Sequence, residues 1–95
     1  MPAYIIFTRE KTTDQAEMDI YNGVAGATLE GHPAKPLAFY GKQVILEGPA
    51  HEGAVVVEFP TIADAKAWYD SPAYQAIVKH RHAGSDYRAF IVEGV

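Results

Sequence analysis

Ninety-five residues, 48% hydrophobic and 21% charged, suit one globular unit with a single core and exclude a disordered chain. Eight basic against twelve acidic residues give a net charge of −4, which argues against a binder driven by nucleic-acid phosphates, because such proteins normally carry a basic patch. Cysteine is absent, which excludes disulfides, thiolate nucleophiles and cysteine metal sites and fits a reducing, cytoplasmic setting.

The opening Met1-Pro2-Ala3-Tyr4-Ile5-Ile6-Phe7 is apolar but short. It has no basic leader and meets Thr8-Arg9-Glu10-Lys11 too soon for a signal peptide or a spanning helix, so no membrane association is expected. No linker, repeat or low-complexity tract breaks the chain, and one domain over 1–95 is expected.

Ala3 to Thr8, β-branched and aromatic, predicts a strand. Thr12-Thr13-Asp14 then offers an N-cap, with Glu17 in capping-box spacing from Asp14. Ala16, Ile20, Val24 and Ala27 recur at helical intervals and predict an apolar stripe running to about Leu29. Gly23 falls on that stripe, as if for close packing on a sheet. Gly31-His32-Pro33 ends the helix.

Leu37–Tyr40 and Gln43–Glu47 predict one strand bent at Gly41, or a hairpin folding at Gly41-Lys42. Ala54-Val55-Val56-Val57-Glu58-Phe59 is the clearest strand of all. Pro60-Thr61 stops it, and Thr61 with Asp64 opens a helix whose buried face is Ala65, Trp68 and Tyr69. Ser71-Pro72 restarts the helix in a new direction, serine as N-cap and proline in the first turn. Tyr74, Ile77, Val78 and Arg81 share one face of this second piece. Ala83-Gly84-Ser85 ends it, and Tyr87 to Glu93 is the last strand.

The order is β-α-β-β-α-β, an α+β ferredoxin-like arrangement with an antiparallel sheet. A sheet with water on one face alternates apolar and polar residues, whereas Ile5-Ile6-Phe7, Val55-Val56-Val57 and Phe90-Ile91-Val92 do not. Both sheet faces therefore want cover, and the helices suffice for one. A second copy on the other face, giving a two-fold homodimer with stacked sheets, is the economical solution.

With those residues in place the chain resembles the family catalogued as domain of unknown function 1330, within the dimeric α+β barrel superfamily. The resemblance rests on Ala3-Tyr4-Ile5-Ile6, Tyr21, Leu46-Glu47-Gly48 and Val57-Glu58-Phe59-Pro60. It continues through Ala65-x-Ala67-Trp68-Tyr69-x-Ser71-x-x-Tyr74, Ile77, Arg81 and Val92-Glu93-Gly94. Family members usually carry a Gly-Gly pair after the first helix and an arginine before a second such pair. Here the chain has Gly31-His32 and Phe39-Tyr40-Gly41-Lys42. The resemblance implies the fold and the dimer, and the superfamily includes cofactor-independent monooxygenases, isomerases and dehalogenase-like proteins.

Arg81 follows an apolar face, so its guanidinium is expected at a cavity edge, where a planar fork can hold a carboxylate. The alternative is a stem covering apolar surface with its head bridging to Glu58, Glu93 or a helix-end carbonyl. Trp68, Tyr69 and Tyr74 either line a pocket for a flat ligand or are plain core. His51, His80 and His82 read as structural or solvated. His32, in a loop near a sheet end, and Tyr40 are the candidates for moving a proton. No histidine spacing resembles a metal site, and no cofactor is expected. Glu58 faces the second sheet surface, where an ion pair across the interface is preferred to a catalytic acid. Phosphate-cradling glycine loops and a Gly-x-Ser-x-Gly elbow are absent, and the third strand lacks the exposed aromatics of RNA-recognition domains.

Three functions stay open: a cofactor-independent enzyme on a small aromatic or carboxylate metabolite, a non-catalytic binder of such a molecule, or a dimeric interaction module. A cluster of His32, Tyr40 and Arg81 around a void favours the first.

Overall fold

A computed structural model describes all residues 1–95. Strand β1 (Ala3–Thr12) leads into helix α1 (Gln15–Val24) and a 3₁₀ turn at Gly26–Leu29; β2 (Lys35–Phe39) and β3 (Gly53–Phe59) follow. Helices α2 (Ile62–Tyr69) and α3 (Pro72–Gly84) then precede β4 (Ser85–Glu93). The four strands form one antiparallel sheet in the order β2-β3-β1-β4, the α+β ferredoxin-like arrangement expected. No helix is long and apolar enough to cross a membrane.

Period two along the central strands decides which residues form the core. Ala3, Ile5 and Phe7 of β1 and Val55, Val57 and Phe59 of β3 point beneath the helices and are buried. Met18, Tyr21, Ala65, Trp68, Tyr74 and Val78 descend onto them from the helices. The opposite sheet face carries Tyr4, Ile6, Ala54 and Val56, all half-buried, and Phe90, which is 51% exposed. An apolar outer face is thus present on the folded chain. Glu58 sits on it opposite Lys35 of β2, so that carboxylate has a cationic cross-strand neighbour.

The helix caps follow the sequence with one change of partner. Asp14 Oδ1 accepts from the Ala16 and Glu17 amides, at 3.1 and 3.4 Å, and so caps α1. Glu17 does not close the box; its Oε2 lies 2.5 Å from His80 Nδ1 and ties α1 to α3. Thr61 Oγ1 accepts from the Asp64 amide at 3.1 Å, and Ser71 Oγ from the Tyr74 amide at 3.3 Å, with Pro72 in the first turn of α3. Gly84 ends α3 where a Cβ would meet the Asp14 carbonyl and Met18 amide at 3.0 Å. Its own carbonyl accepts from the Thr13 and Asp14 amides, fastening the two helix ends together.

Two expectations need correction. The first helix stops at Val24, and its buried side chains are Met18, Tyr21 and, in the 3₁₀ turn, Thr28; Ile20 and Val24 are exposed. The change from α to 3₁₀ pitch at Ala25–Gly26 resets the stripe, and Gly23 meets no atom within 4 Å, so close packing is not its role. The second strand also lies earlier than expected, at Lys35–Phe39. Pro36 is tolerated because β2 is an edge, and the register shifts between Pro36 and Ala38 rather than at Gly41. Gln43–Glu47 is not a strand. It belongs to a long loop closed by Gln43 Nε2 donating to the His51 carbonyl at 3.1 Å, with Val44 75% and Leu46 88% exposed.

Trp68 holds the inner core together. Its ring packs against Phe7, Phe59, Tyr69 and Tyr74, and its Nε1–H donates to Thr28 Oγ1 at 3.1 Å. Trp68→Ala is expected to cost about 3 to 5 kcal/mol in urea denaturation. A loss below about 1 kcal/mol would remove the indole from that role.

Candidate functional site

An apolar cleft of about 60 Å³ lies between the helix-facing side of β1–β3 and the α1–3₁₀ segment. Phe7, Val55 and Trp68 wall it, and Asn22 and the phenols of Tyr21, Tyr40 and Tyr87 bring polar atoms to it. Three different elements deliver those phenols: α1, the residue after β2, and β4.

Tyr40 owes its place to its backbone. Its φ of 51° is the only positive value outside glycine, so the chain turns abruptly at the end of β2. The left-handed conformation costs a side-chain-bearing residue roughly 1–2 kcal/mol. The Tyr40 amide donates to the Ala54 carbonyl at 2.9 Å, and the ring lies against Phe39, 4.9 Å between centroids. Gly53 makes the space, since a Cβ there would stand 2.5 Å from Tyr40 Cδ1. The Arg9 guanidinium covers the ring at 4.8 Å. Glu52 in turn holds Arg9, with Arg9 Nε 3.2 Å from its Oε1 at an angle that makes an ion pair rather than a hydrogen bond. Donation from Thr12 Oγ1 at 2.6 Å, then the Arg9 charge, holds the exposed Glu52 carboxyl below its ordinary range.

The four phenols fall into two hydrogen-bonded pairs. Tyr40 and Tyr87 share one hydroxyl contact, and Tyr21 and Tyr74 share another at 2.8 Å. Arg81 stands between the pairs, 3% exposed, its guanidinium 5.0 Å from the Tyr87 ring centroid and 5.5 Å from that of Phe7. No carboxylate pairs with it, and its Nε has no hydrogen-bond partner. Burial pushes the Tyr21, Tyr74 and Tyr87 phenols up, and the Arg81 charge offsets only part of that rise. The phenols therefore remain protonated and able to donate.

Among the residues singled out from sequence, Tyr40 and Trp68 line the cleft. Tyr74 reaches it through Tyr21, and Arg81 stands one ring behind it, beyond Phe7 and Tyr87. Tyr69 is half-buried and borders a separate open groove with Arg81, His82 and Asp86. His32 sits in the turn after the 3₁₀ segment, where its amide donates to the Leu29 carbonyl, and it is not among the lining residues. His80 is held by Glu17, and no group of three or more histidine, aspartate or glutamate side chains gathers as a metal site.

Sequence reasoning missed Tyr87 and Arg9 as members of the site. The signal was available. Period two from Ala3, Ile5 and Phe7 carries Arg9 to the helix-facing side, and β4 pairing then sets Tyr87 opposite Arg9.

The family profile for domain of unknown function 1330 matches residues 2–95. The chain belongs to that family. No curated protein matches it in sequence. Among solved structures, a protein of unknown function from Rhodopseudomonas palustris is similar with a TM-score of 0.76 at 21% identity, covering 99% of this chain and 82% of that one. A dimeric ferredoxin-like protein of unknown function from Thermobifida fusca has a TM-score of 0.66 at 15% identity, covering 97% and 90%. SnoaB, a cofactor-independent oxygenase from Streptomyces nogalater, has a TM-score of 0.56 at 11% identity, covering 99% and 91%. At these identities the likeness shows the ferredoxin-like fold alone.

The raised phenols set an alkaline limit. A group kept neutral by folding contributes fully below its unfolded pKa of about 10 and costs stability above it, where only the unfolded chain releases the proton. Absorbance titration of the six tyrosines should show a late step for Tyr21, Tyr74 and Tyr87 that coincides with loss of the circular-dichroism signal. Six phenols ionising near pH 10 in a chain that stays folded would contradict their burial.

Proposed function

We propose that this member of the family binds a small organic molecule, no larger than a single ring, in the cleft beneath α1. The observation that carries this is the Tyr40–Tyr87 hydroxyl pair at a largely apolar cavity with an indole in its wall. Buried hydroxyls beside apolar walls orient a ligand and select its polar group. Size sets the limit. About 60 Å³ falls short of the roughly 150 Å³ that encloses a benzene in an engineered cavity. A short-chain metabolite fits within, whereas a ring enters edge-first with part of it at the mouth.

Cofactor-independent catalysis on that molecule is a second reading, supported by the fold shared with SnoaB. In it the Tyr40 hydroxyl moves a proton, and Arg81 favours negative charge developing nearby. His32, away from the cleft lining, has no assigned part. The partner of the chain in this reading is a second copy of itself. The half-buried Ile6 and Val56 with the exposed Phe90 present an apolar sheet face, and similar structures are described as dimeric. The cytoplasmic setting expected from composition belongs to the same proposal.

Trp68 is the only tryptophan and lies in the cleft wall, so its emission reports occupancy directly. Titration with single-ring phenols, aromatic acids and short-chain acids should give saturable quenching by at least one compound. Tyr40→Phe should weaken that binding about fivefold, for loss of one hydrogen bond of about 1 kcal/mol. No change in emission or thermal midpoint across the whole panel at millimolar concentration would overturn the ligand reading. Native mass spectrometry should give twice the chain mass, and Val56→Asp, which places a charge on the outer sheet face, should give monomer. A monomeric wild type would remove the partner assignment.

A further inference from the structure

Arg81 is a buried cation without a counter-ion. Every side-chain carboxylate found in an ion pair is engaged elsewhere: Glu52 with Arg9, Glu17 with His80, Glu10 with Arg88 and Asp70 with Lys66. Aromatic faces partly solvate the guanidinium, through Phe7 and Tyr87, yet its Nε has no acceptor. An uncompensated buried charge is costly, and proteins retain one where something completes it.

The hydroxyl count gives the same sign. Within each tyrosine pair one O–H donates to the other oxygen, which leaves one hydroxyl hydrogen per pair to give. Neither Tyr40, Tyr87, Tyr21 nor Tyr74 donates to any other protein acceptor. The groups around the cleft are therefore two spare phenol donors, the Asn22 amide and one unbalanced positive charge. Arg9, the other cation there, is already neutralised by Glu52. Phenols of β4, α1 and α3 surround Arg81, and Asp86, which borders an open groove with it, forms no ion pair with it.

We propose that the cleft takes its ligand as an anion, a small carboxylic acid in its ionised form, with Arg81 supplying the balancing charge from one ring away and the paired tyrosine hydroxyls donating to the carboxylate. This rests on the ligand reading above and narrows it to one chemical class. Arg81 acts here as a positioning residue: it favours the charge of the ligand and keeps the hydroxyls oriented, without lining the cavity itself.

The test compares ligands of equal shape and different charge: benzoate with benzamide, and isobutyrate with isobutyramide, at neutral pH. Trp68 emission gives affinity and the thermal midpoint gives stabilisation. At least tenfold tighter binding of the carboxylate in each pair is expected, together with a larger rise in midpoint. In Arg81→Met the carboxylate should lose at least tenfold while the amide holds its affinity, and Arg81→Lys should keep part of the preference. If Arg81→Met does not fold, the wild-type pairs still decide. Amides binding as well as acids would overturn this inference and leave the ligand reading intact. A carboxylate preference that persists in folded Arg81→Met would take the role from Arg81. If none of the four compounds binds, the carboxylate proposal fails, and the phenol panel decides the ligand reading by itself.

Discussion

The indole of Trp68 is the contact on which the inner core converges. It meets β1 through Phe7, β3 through Phe59 and α3 through Tyr74, and its single donor reaches Thr28 in the 3₁₀ turn. Thr28 passes the bond on to the Ala25 carbonyl at 2.6 Å, so the end of α1 is tied to the corner between α2 and α3. The 3₁₀ turn is held against the indole, while the space between it and β2 is left to Tyr40 and Tyr87. Burial of the aromatic cluster and shaping of the cavity are thus one packing event.

How far the sequence revealed this varied with the kind of signal. The central strands were legible because a continuous apolar run bounded by Pro60 and Gly53 has few other structures open to it. The α2–α3 corner was legible too, since Ser71-Pro72 stops one helix and caps the next. The α1 stripe was not. Ile20 and Val24 keep perfect helical spacing yet face outward, because the tertiary contacts of Met18 and Tyr21 decide the rotation of the helix. Gln43–Glu47 shows the same limit: strand propensity alone makes no strand where the edge has no further partner to offer.

The cleft was half visible. Tyr40, Trp68 and Arg81 stood out by residue type and position, but their relation runs through residues that looked ordinary. Tyr87 is merely the first aromatic of a strand until pairing with β1 sets it against Arg9. The lack of a counter-ion at Arg81 is invisible in a sequence with twelve acidic residues, because it depends on where each of them lies. Unbalanced charge is a property of arrangement, and only the fold discloses it.

The left-handed turn at Tyr40 and the bare backbone of Gly53 bracket the long loop at its two ends. Both ends are anchored to the sheet, Tyr40 through the Ala54 carbonyl and Glu52 through the Arg9 carbonyl. The stretch between them is therefore insulated from the cavity. Lengthening a flexible loop is cheap, about 0.6 kcal/mol for each doubling. A change of length between Gly41 and His51 would remodel the groove that Glu47 and Pro49 share with Phe90 on the outer sheet face and leave the residues lining the cleft in place. Tyr40 and Gly53, by contrast, constrain each other directly, since a side chain at either position dictates how much room the other has.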